Sequence, residues 1–303
     1  MNVAVTAPAL DPGESYAEAN GLRLCYQTFG RSGDPPLMLI HGLGAQMILW
    51  EEAFCGLVAA RGYFVIRFDN RDIGKSSRLA TQPFDLMAMM AARKPGERLS
   101  APYLLADMAA DAVGLLDRLG AERAHVVGAS MGGMIAQEVA IRWPKRVASL
   151  VSIMSTTGDG KLPPPTPEAA AILMSPPPRT AEAYVESFVR SSRVFGGPYY
   201  PSDDAREAKL ARRSAARGLS PDGAQRQLLA IIASGNRKAA LPKVATPTLV
   251  IHGDADPLIP LAAGEDTARS IPGARLSVFK GMGHALPEPL WPRIVEEIAS
   301  IAL

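Results

Sequence analysis

Three stretches of this 303-residue chain carry side chains whose types and spacing suit shared chemistry. Gly128-Ala-Ser130-Met-Gly132 sets a serine between small residues, where the apolar run "HVVGA" meets the helical pattern "MGGMIAQEVAIRW". A serine hydroxyl is a weak nucleophile at neutral pH unless a neighbouring base takes its proton. A turn tight enough to lift it clear of the chain needs small flanking residues. A helix that starts there aims its free N–H groups and positive dipole end at the reaction. Gly128, Gly132 and Gly133 meet the steric demand. The second stretch, "HGDADPLIP", places Asp254 and Asp256 two positions apart behind the apolar run Thr248–Ile251. Taken alone it reads as a carboxylate pair, as half a metal site, or as one working aspartate beside a loop residue. The third, "GMGHALPEP", holds His284.

The chain offers four histidines as the base. His41 ends an apolar run and opens "HGLG", His125 opens the run leading to Ser130, and His252 ends the run before the two aspartates; each reads as structural. His284 lies instead in a glycine-rich loop between the run Arg275–Phe279 and the last helical pattern. Catalytic groups of open α/β sheets gather on loops at the carboxyl ends of strands, which selects His284.

Stepping from these loops to what must hold them, the runs Leu37–Ile40, Tyr63–Phe68, Ala124–Val127, Val147–Ile153, Thr248–Ile251 and Arg275–Phe279 are continuously apolar or nearly so. Such runs suit strands buried on both faces. Between them lie helical patterns, clearest in "LLADMAADAVGLLDRLG", then Met131–Trp143 and about 289–302. Strands alternating with helices predict an α/β fold with a mostly parallel sheet covered on both faces. "NGLRLCYQTFG" alternates like an antiparallel strand and is expected to pair with the Leu37 run across "GRSGDPP".

From Thr156 to Ala240 the alternation stops: "KLPPPTPEAAAILMSPPPRT" is proline-rich, and helical stretches follow. We expect a core in two parts, 1–155 and 241–303, with 156–240 as an inserted, mainly helical cap. Within it, "DDAREAKLARRSAARG" reads as the solvated face of a cap helix. Met47, Met87, Met89, Met90 and Met131 lie near the expected pocket mouth, but core filling is the expected role for most of them.

With 48% hydrophobic residues the chain is long and apolar enough to bury a large core. Its 32 basic and 30 acidic residues leave a formal net charge of +2, no broad attraction for nucleic acid or an anionic membrane. No apolar run is long enough to span a bilayer, and the first 21 residues lack the basic and apolar regions of a secretory signal. Cys25 and Cys55 lack zinc or redox spacing and are expected to be core thiols. The expected location is cytoplasmic and the expected partner a small molecule; the oligomeric state is open.

"HGLG", "GASMG", "HGDADPLIP" and "GMGHALPEP", in this order, resemble the α/β-hydrolase family, and the likeness covers nearly the whole chain. The resemblance implies the α/β-hydrolase fold and a triad running serine, acid, histidine along the chain. Its G-x-x-D-x-x-x-P register places Gly253, Asp256 and Pro260 together and selects Asp256, leaving Asp254 as a cap of its own turn. It also implies an oxyanion hole from the backbone N–H groups of Leu43 and Met131. "RFDNRDIGKSS" is similar to the family loop D-x-R-G-x-G-x-S, except that Asp72 stands where glycine is common. It reads as a structural loop. With "GMGHALP" it also resembles the bacterial anthracycline methylesterases. Haloalkane dehalogenases and epoxide hydrolases carry an aspartate at the elbow, so Ser130 argues against both. The expected activity is hydrolysis of a carboxylic ester of a small, largely apolar substrate through an acyl-enzyme, with no metal or organic cofactor. The alternatives are enol-lactone or carbon–carbon bond hydrolysis and, in another class, a hydrolase-like ligand receptor.

Overall fold

A computed structural model describes residues 13–80, 85–92 and 99–302, apart from the side chains of Met87 and Ala302. The N-terminal stretch read for a signal therefore lies largely outside the described residues, as does the side chain of Met87.

Eight strands, β1 (Glu14–Ala19), β2 (Leu22–Phe29), β3 (Pro36–Ile40), β4 (Phe64–Phe68), β5 (Ala124–Ala129), β6 (Val147–Ile153), β7 (Thr248–Gly253) and β8 (Arg275–Phe279), form one sheet. Their order is β1-β2-β4-β3-β5-β6-β7-β8. From β4 to β8 all pairs are parallel; β1 and β2 are antiparallel additions at one edge. The helices between and after the strands are α1 (Glu52–Ala59), α2 (Leu86–Ala92), α3 (Leu105–Arg118), α4 (Met131–Arg142), α5 (Pro167–Leu173), α6 (Ala181–Phe195), α7 (Asp204–Arg217), α8 (Pro221–Ser234), α9 (Leu261–Ser270) and α10 (Trp291–Ala302).

One expectation fails. The strand at Leu22 does not pair with β3; it lies between β1 and β4, with Tyr26 opposite Phe68. The chain returns from α1 to place β4 between them, and β3 pairs instead with β4 and β5.

Side chains alternate across the sheet as the two-residue pleat requires. Met38, Ile40, Val126 and Leu150 face the core formed with α3 and α4. Leu37, Leu39, Val127, Val151 and Ile153 face the other, with Phe54 and Val58 of α1 and Trp291, Ile294 and Ile298 of α10. Cys25 and Cys55 are buried free thiols, and burial pushes the Cys55 thiol up to about 12. Met47 and Met131 are core residues, as expected.

Between β6 and β7 the described chain forms α5 to α8 and no strand. α6 packs on α5 and α7, and α8 reaches α3. Among the described residues no helix is long and apolar enough to cross a membrane.

Candidate active site

Each chemistry-bearing residue follows the carboxyl end of a parallel strand, so the sheet register itself gathers them. Ser130 follows β5 and is the N-cap of α4, with φ 55° and ψ −121°. That left-handed backbone is costly for a non-glycine residue and needs rigid surroundings. The glycines make it feasible: a Cβ on Gly128 would lie 2.0 Å from the carbonyl oxygen of Gly132, and one on Gly132 would lie 2.1 Å from that of Ile40. The Ser130 N–H donates to Ile153 O of β6 at 2.9 Å. Ser155 Oγ donates to Ser130 O at 2.8 Å.

His284 lies beyond β8, with Nε2 2.9 Å from Ser130 Oγ and Nδ1 2.7 Å from Asp256 Oδ2. A carboxylate only accepts, so Nδ1 carries the proton and Nε2 faces the serine hydroxyl as its acceptor. Asp256 is buried behind this pair. Its other oxygen accepts the N–H groups of Leu258 and Ile259 at 2.9 and 2.8 Å.

The two aspartates thus divide the work differently from the sequence reading. It is Asp256 that caps its own turn. Asp254 reaches across to the next loop, where Oδ1 accepts the Gly281 N–H at 2.6 Å, three residues before His284. The loops are further joined where the Ala255 N–H donates to Met282 O at 3.2 Å. The glycines of "GMGH" meet a steric demand invisible in the sequence: a Cβ on Gly283 would lie 2.0 Å from Phe195 O, at the end of α6. Phe195 itself stands edge-on to the His284 ring, with centroids 6.0 Å apart.

Met131 directly follows Ser130, and Leu43 lines the cavity into which the serine opens. Gly42 packs on Ser130, close enough that a Cβ there would lie 3.2 Å from the serine Cβ. In its loop the N–H groups of Gly42, Gly44 and Ala45 are engaged by His41 Nδ1, Gln227 Oε1 and Gly42 O. That of Leu43 has no partner among the described residues. Met131 is the first residue of α4, where an N–H lacks an intrahelical acceptor.

The other histidines have structural partners. His125 Nδ1 is 2.9 Å from Ser149 Oγ, and His252 Nε2 is 2.7 Å from Ile259 O, steadying the loop of Asp256. Burial lowers the pKa of both. His41 is brought down to about 4 by burial and then by the charge of His284, so it stays neutral and accepts the Gly42 N–H.

The loop "RFDNRDIGKSS" is structural, and more than local. Asp69 accepts the N–H groups of Met47 and Lys75 and pairs with Arg217 at 2.9 Å. Asp72, in the position of the usual glycine, has φ 72° and pairs through both oxygens with Arg226 of α8 at 2.8 Å. The arginine-rich run on α7 is correspondingly not just a solvated face. Arg217 is buried and holds Glu14 and Asp69, while Arg206 and Arg213 reach Glu51 and Glu52. Spacing along the sequence gave no sign of these pairs.

Ser130 and His284 open into a cavity of about 910 Å³. Its walls come from the strand-end loops, including Leu43, Met154 and Ile259, and from α5 to α8, including Ile172, Phe188, Leu210 and Ile231. Among the described residues the lining methionines are Met134 and Met154, not Met47, Met89, Met90 or Met131.

A parallel sheet that carries an elbow serine, an aspartate and a histidine on the loops after β5, β7 and β8 is the architecture of α/β hydrolases. The chain belongs to that family, whose model, described as the alpha/beta hydrolase fold, matches residues 35–288. Rhodomycin D methylesterase of Streptomyces peucetius is 31% identical over 286 residues, covering 86% of this chain and 90% of that protein. A protein described as a carbamate hydrolase in Pseudomonas savastanoi pv. phaseolicola is 28% identical over 263 residues, covering 84% and 90%. Among solved structures, a meta-cleavage product hydrolase from Pseudomonas fluorescens IP01 shares the fold with a TM-score of 0.73 at 21% identity, covering 95% of this chain and 96% of that one.

Proposed function

We propose that this chain is a serine hydrolase that cleaves a carboxylic ester through an acyl-enzyme. The observation that carries the reading is the hydrogen-bonded sequence Ser130, His284, Asp256 at the floor of an apolar cavity. Ser130 Oγ attacks the ester carbonyl as His284 Nε2 takes its proton, and the imidazolium then gives that proton to the departing alcohol. Asp256 keeps the ring in the required tautomer and stabilises its positive form. The N–H groups of Leu43 and Met131 receive the negative charge that builds on the carbonyl oxygen. Water, deprotonated by the same histidine, then attacks the acyl-enzyme, releasing the acid and freeing Ser130. No metal or organic cofactor enters this sequence.

Residues 156–240 act in this reading as a cap over the site, supplying the far walls of the cavity. At about 910 Å³ the cavity lies within the range of small-molecule sites and has room for an ester with a bulky acyl group. The similarity to a methylesterase points to methyl esters of large, mainly apolar acids as the first series to assay. The test compares turnover of such methyl esters and of activated aryl esters with that of ring-cleavage diketones. Ester turnover with trapping of Ser130 by a covalent inhibitor is the expected result. Turnover confined to the diketones would replace the reading with carbon–carbon hydrolysis, and turnover of neither with the receptor alternative.

A further inference from the structure

Behind the main cavity lies a second one of about 210 Å³, lined by Met134, Thr156, Gly158, Ile231, Ile232, Gly235 and Arg237. Met134, Thr156 and Ile231 also line the main cavity, so the two share walls. Met134 is one helical turn beyond Ser130, its N–H donating to Ser130 O at 3.2 Å. Through Met134 the wall of the small cavity is tied to α4 one helical turn from the reacting serine.

The unusual member of this lining is Arg237. It is only 4% exposed, yet its guanidinium touches no carboxylate among the described residues. Nε donates to Gln137 Oε1 at 3.0 Å, Nη1 to Gly235 O at 3.3 Å and Nη2 to Thr156 O at 2.8 Å, all neutral acceptors. The nearest acidic influence is Glu138, which acts through space and is itself paired with Arg142 at 2.7 Å. Every other buried arginine described above has a carboxylate against it. A guanidinium has five N–H donors, so after three bonds one remains on each terminal nitrogen, the arrangement that grips a carboxylate through two parallel bonds. A buried cation without a counter-ion is costly, and burial lowers its pKa to about 10. The three bonds fix its place by joining the two ends of the segment 156–240, but they leave its charge uncompensated.

We infer that the small cavity is an anion subsite in which Arg237 receives an ionised carboxylate at the far end of the substrate, so that the preferred ester is the half-ester of a dicarboxylic acid. Resting on the serine-hydrolase reading, the inference adds an anionic end to a substrate whose body fills the apolar cavity. Arg237 lines the small cavity and not the one that holds Ser130 and His284, so it acts on affinity, as a specificity residue.

The test pairs monomethyl esters of dicarboxylic acids, from succinate to suberate, with the corresponding dimethyl esters. For the chain length that spans the two cavities, the monomethyl ester should show a KM roughly tenfold lower, as a charge-assisted bidentate pair provides. In Arg237→Met the ratio of the two KM values should fall to about one. Equal KM values for the two series in the wild type, or an Arg237→Met variant that raises both and preserves their ratio, would overturn the inference. The wild-type comparison decides the matter even where the variant does not fold. Calorimetric titration of Ser130→Ala with both series reads the subsite without turnover. Preferential monoester binding without wild-type hydrolysis would thus sink the esterase reading alone, and hydrolysis without the preference would sink the subsite alone.

Discussion

Strands β5 and β7, which lead to Ser130 and to the loop of Asp256, are buried along their whole length, whereas α6, over the same cavity, has no buried residue. The first region is fixed by close packing and backbone contact: glycines approach within van der Waals range, and loop N–H groups clasp carboxylate oxygens. The second is fastened at its edges by arginines. Arg217 pairs with Glu14 and Asp69, Arg226 with Asp72, and Arg206 and Arg213 with Glu51 and Glu52. Dense packing resists displacement in every direction and holds reacting atoms to the few tenths of an ångström that catalysis requires. Ion pairs fix a few points and leave the side chains between them free to differ. The division lets the cavity roof change its lining while the chemistry below keeps its geometry.

The largest effect should come from the packed region. Ser130→Ala should lower kcat on an activated ester by at least about 10⁴-fold with its thermal unfolding midpoint nearly unchanged. Near-normal turnover by the folded variant would remove Ser130 from the mechanism. The aspartates sharpen the same point. Asp256→Asn should cost on the order of 10⁴-fold in kcat, because an amide at this position favours the wrong histidine tautomer. Asp254→Asn retains an oxygen to accept the Gly281 N–H and should keep most of the activity. The reverse order would mean that Asp254 is the working acid.

The roof should respond in stability more than in chemistry. Arg226→Met strands the Asp72 carboxylate in a buried site, a loss of about 3–5 kcal/mol by the usual behaviour of broken buried pairs. Replacing both partners, as Asp72→Gly with Arg226→Met, should restore most of it, since glycine tolerates φ 72° and no charge is left unpaired. Denaturant unfolding of the two variants reads the difference. A double variant no more stable than the single one would show that the ion pair is not what fastens α8.

What could be read from the sequence follows the same division. The buried strands are continuous apolar runs, and the elbow glycines and His284 sit at strand ends, so local pattern was enough to place them. β1 was missed because "ESYAEA" is short, partly polar and an edge strand. The partner of β2 was misplaced because nearest-neighbour hairpin logic does not foresee β4 crossing between. The arginines of α7 looked solvent-facing because their carboxylates lie more than a hundred residues away. Arg217, for example, is 203 positions from Glu14. Asp72 is the instructive exception: a departure from the expected glycine marked the residue, although only the structure shows Arg226 as its partner.

The smallest of these effects separates the regions by pH. His41, beside the elbow, is held neutral, with its pKa at about 4 through burial and the neighbouring His284 charge, against an ordinary 6.5. His125 and His252, also in the core, are lowered by burial. Above pH 6.5 these rings are neutral in both folded and unfolded chains, and their contribution is fully present. As the pH falls the unfolded chain takes up protons first, so stability declines from about 6.5 down to about 4, by on the order of 3 kcal/mol for His41. The roof's arginines stay charged throughout, and although burial raises the Glu52 carboxyl, hydrogen bonds from Arg213 and Arg67 bring it down to about 2. Mild acid should therefore weaken the packed region before it loosens the ion-paired one. Unfolding free energies between pH 7 and about 4 should show that decline in the wild type and a shallower one in His41→Gln. Identical slopes in the two proteins would mean that His41 is not the buried neutral group that ties the elbow region to pH.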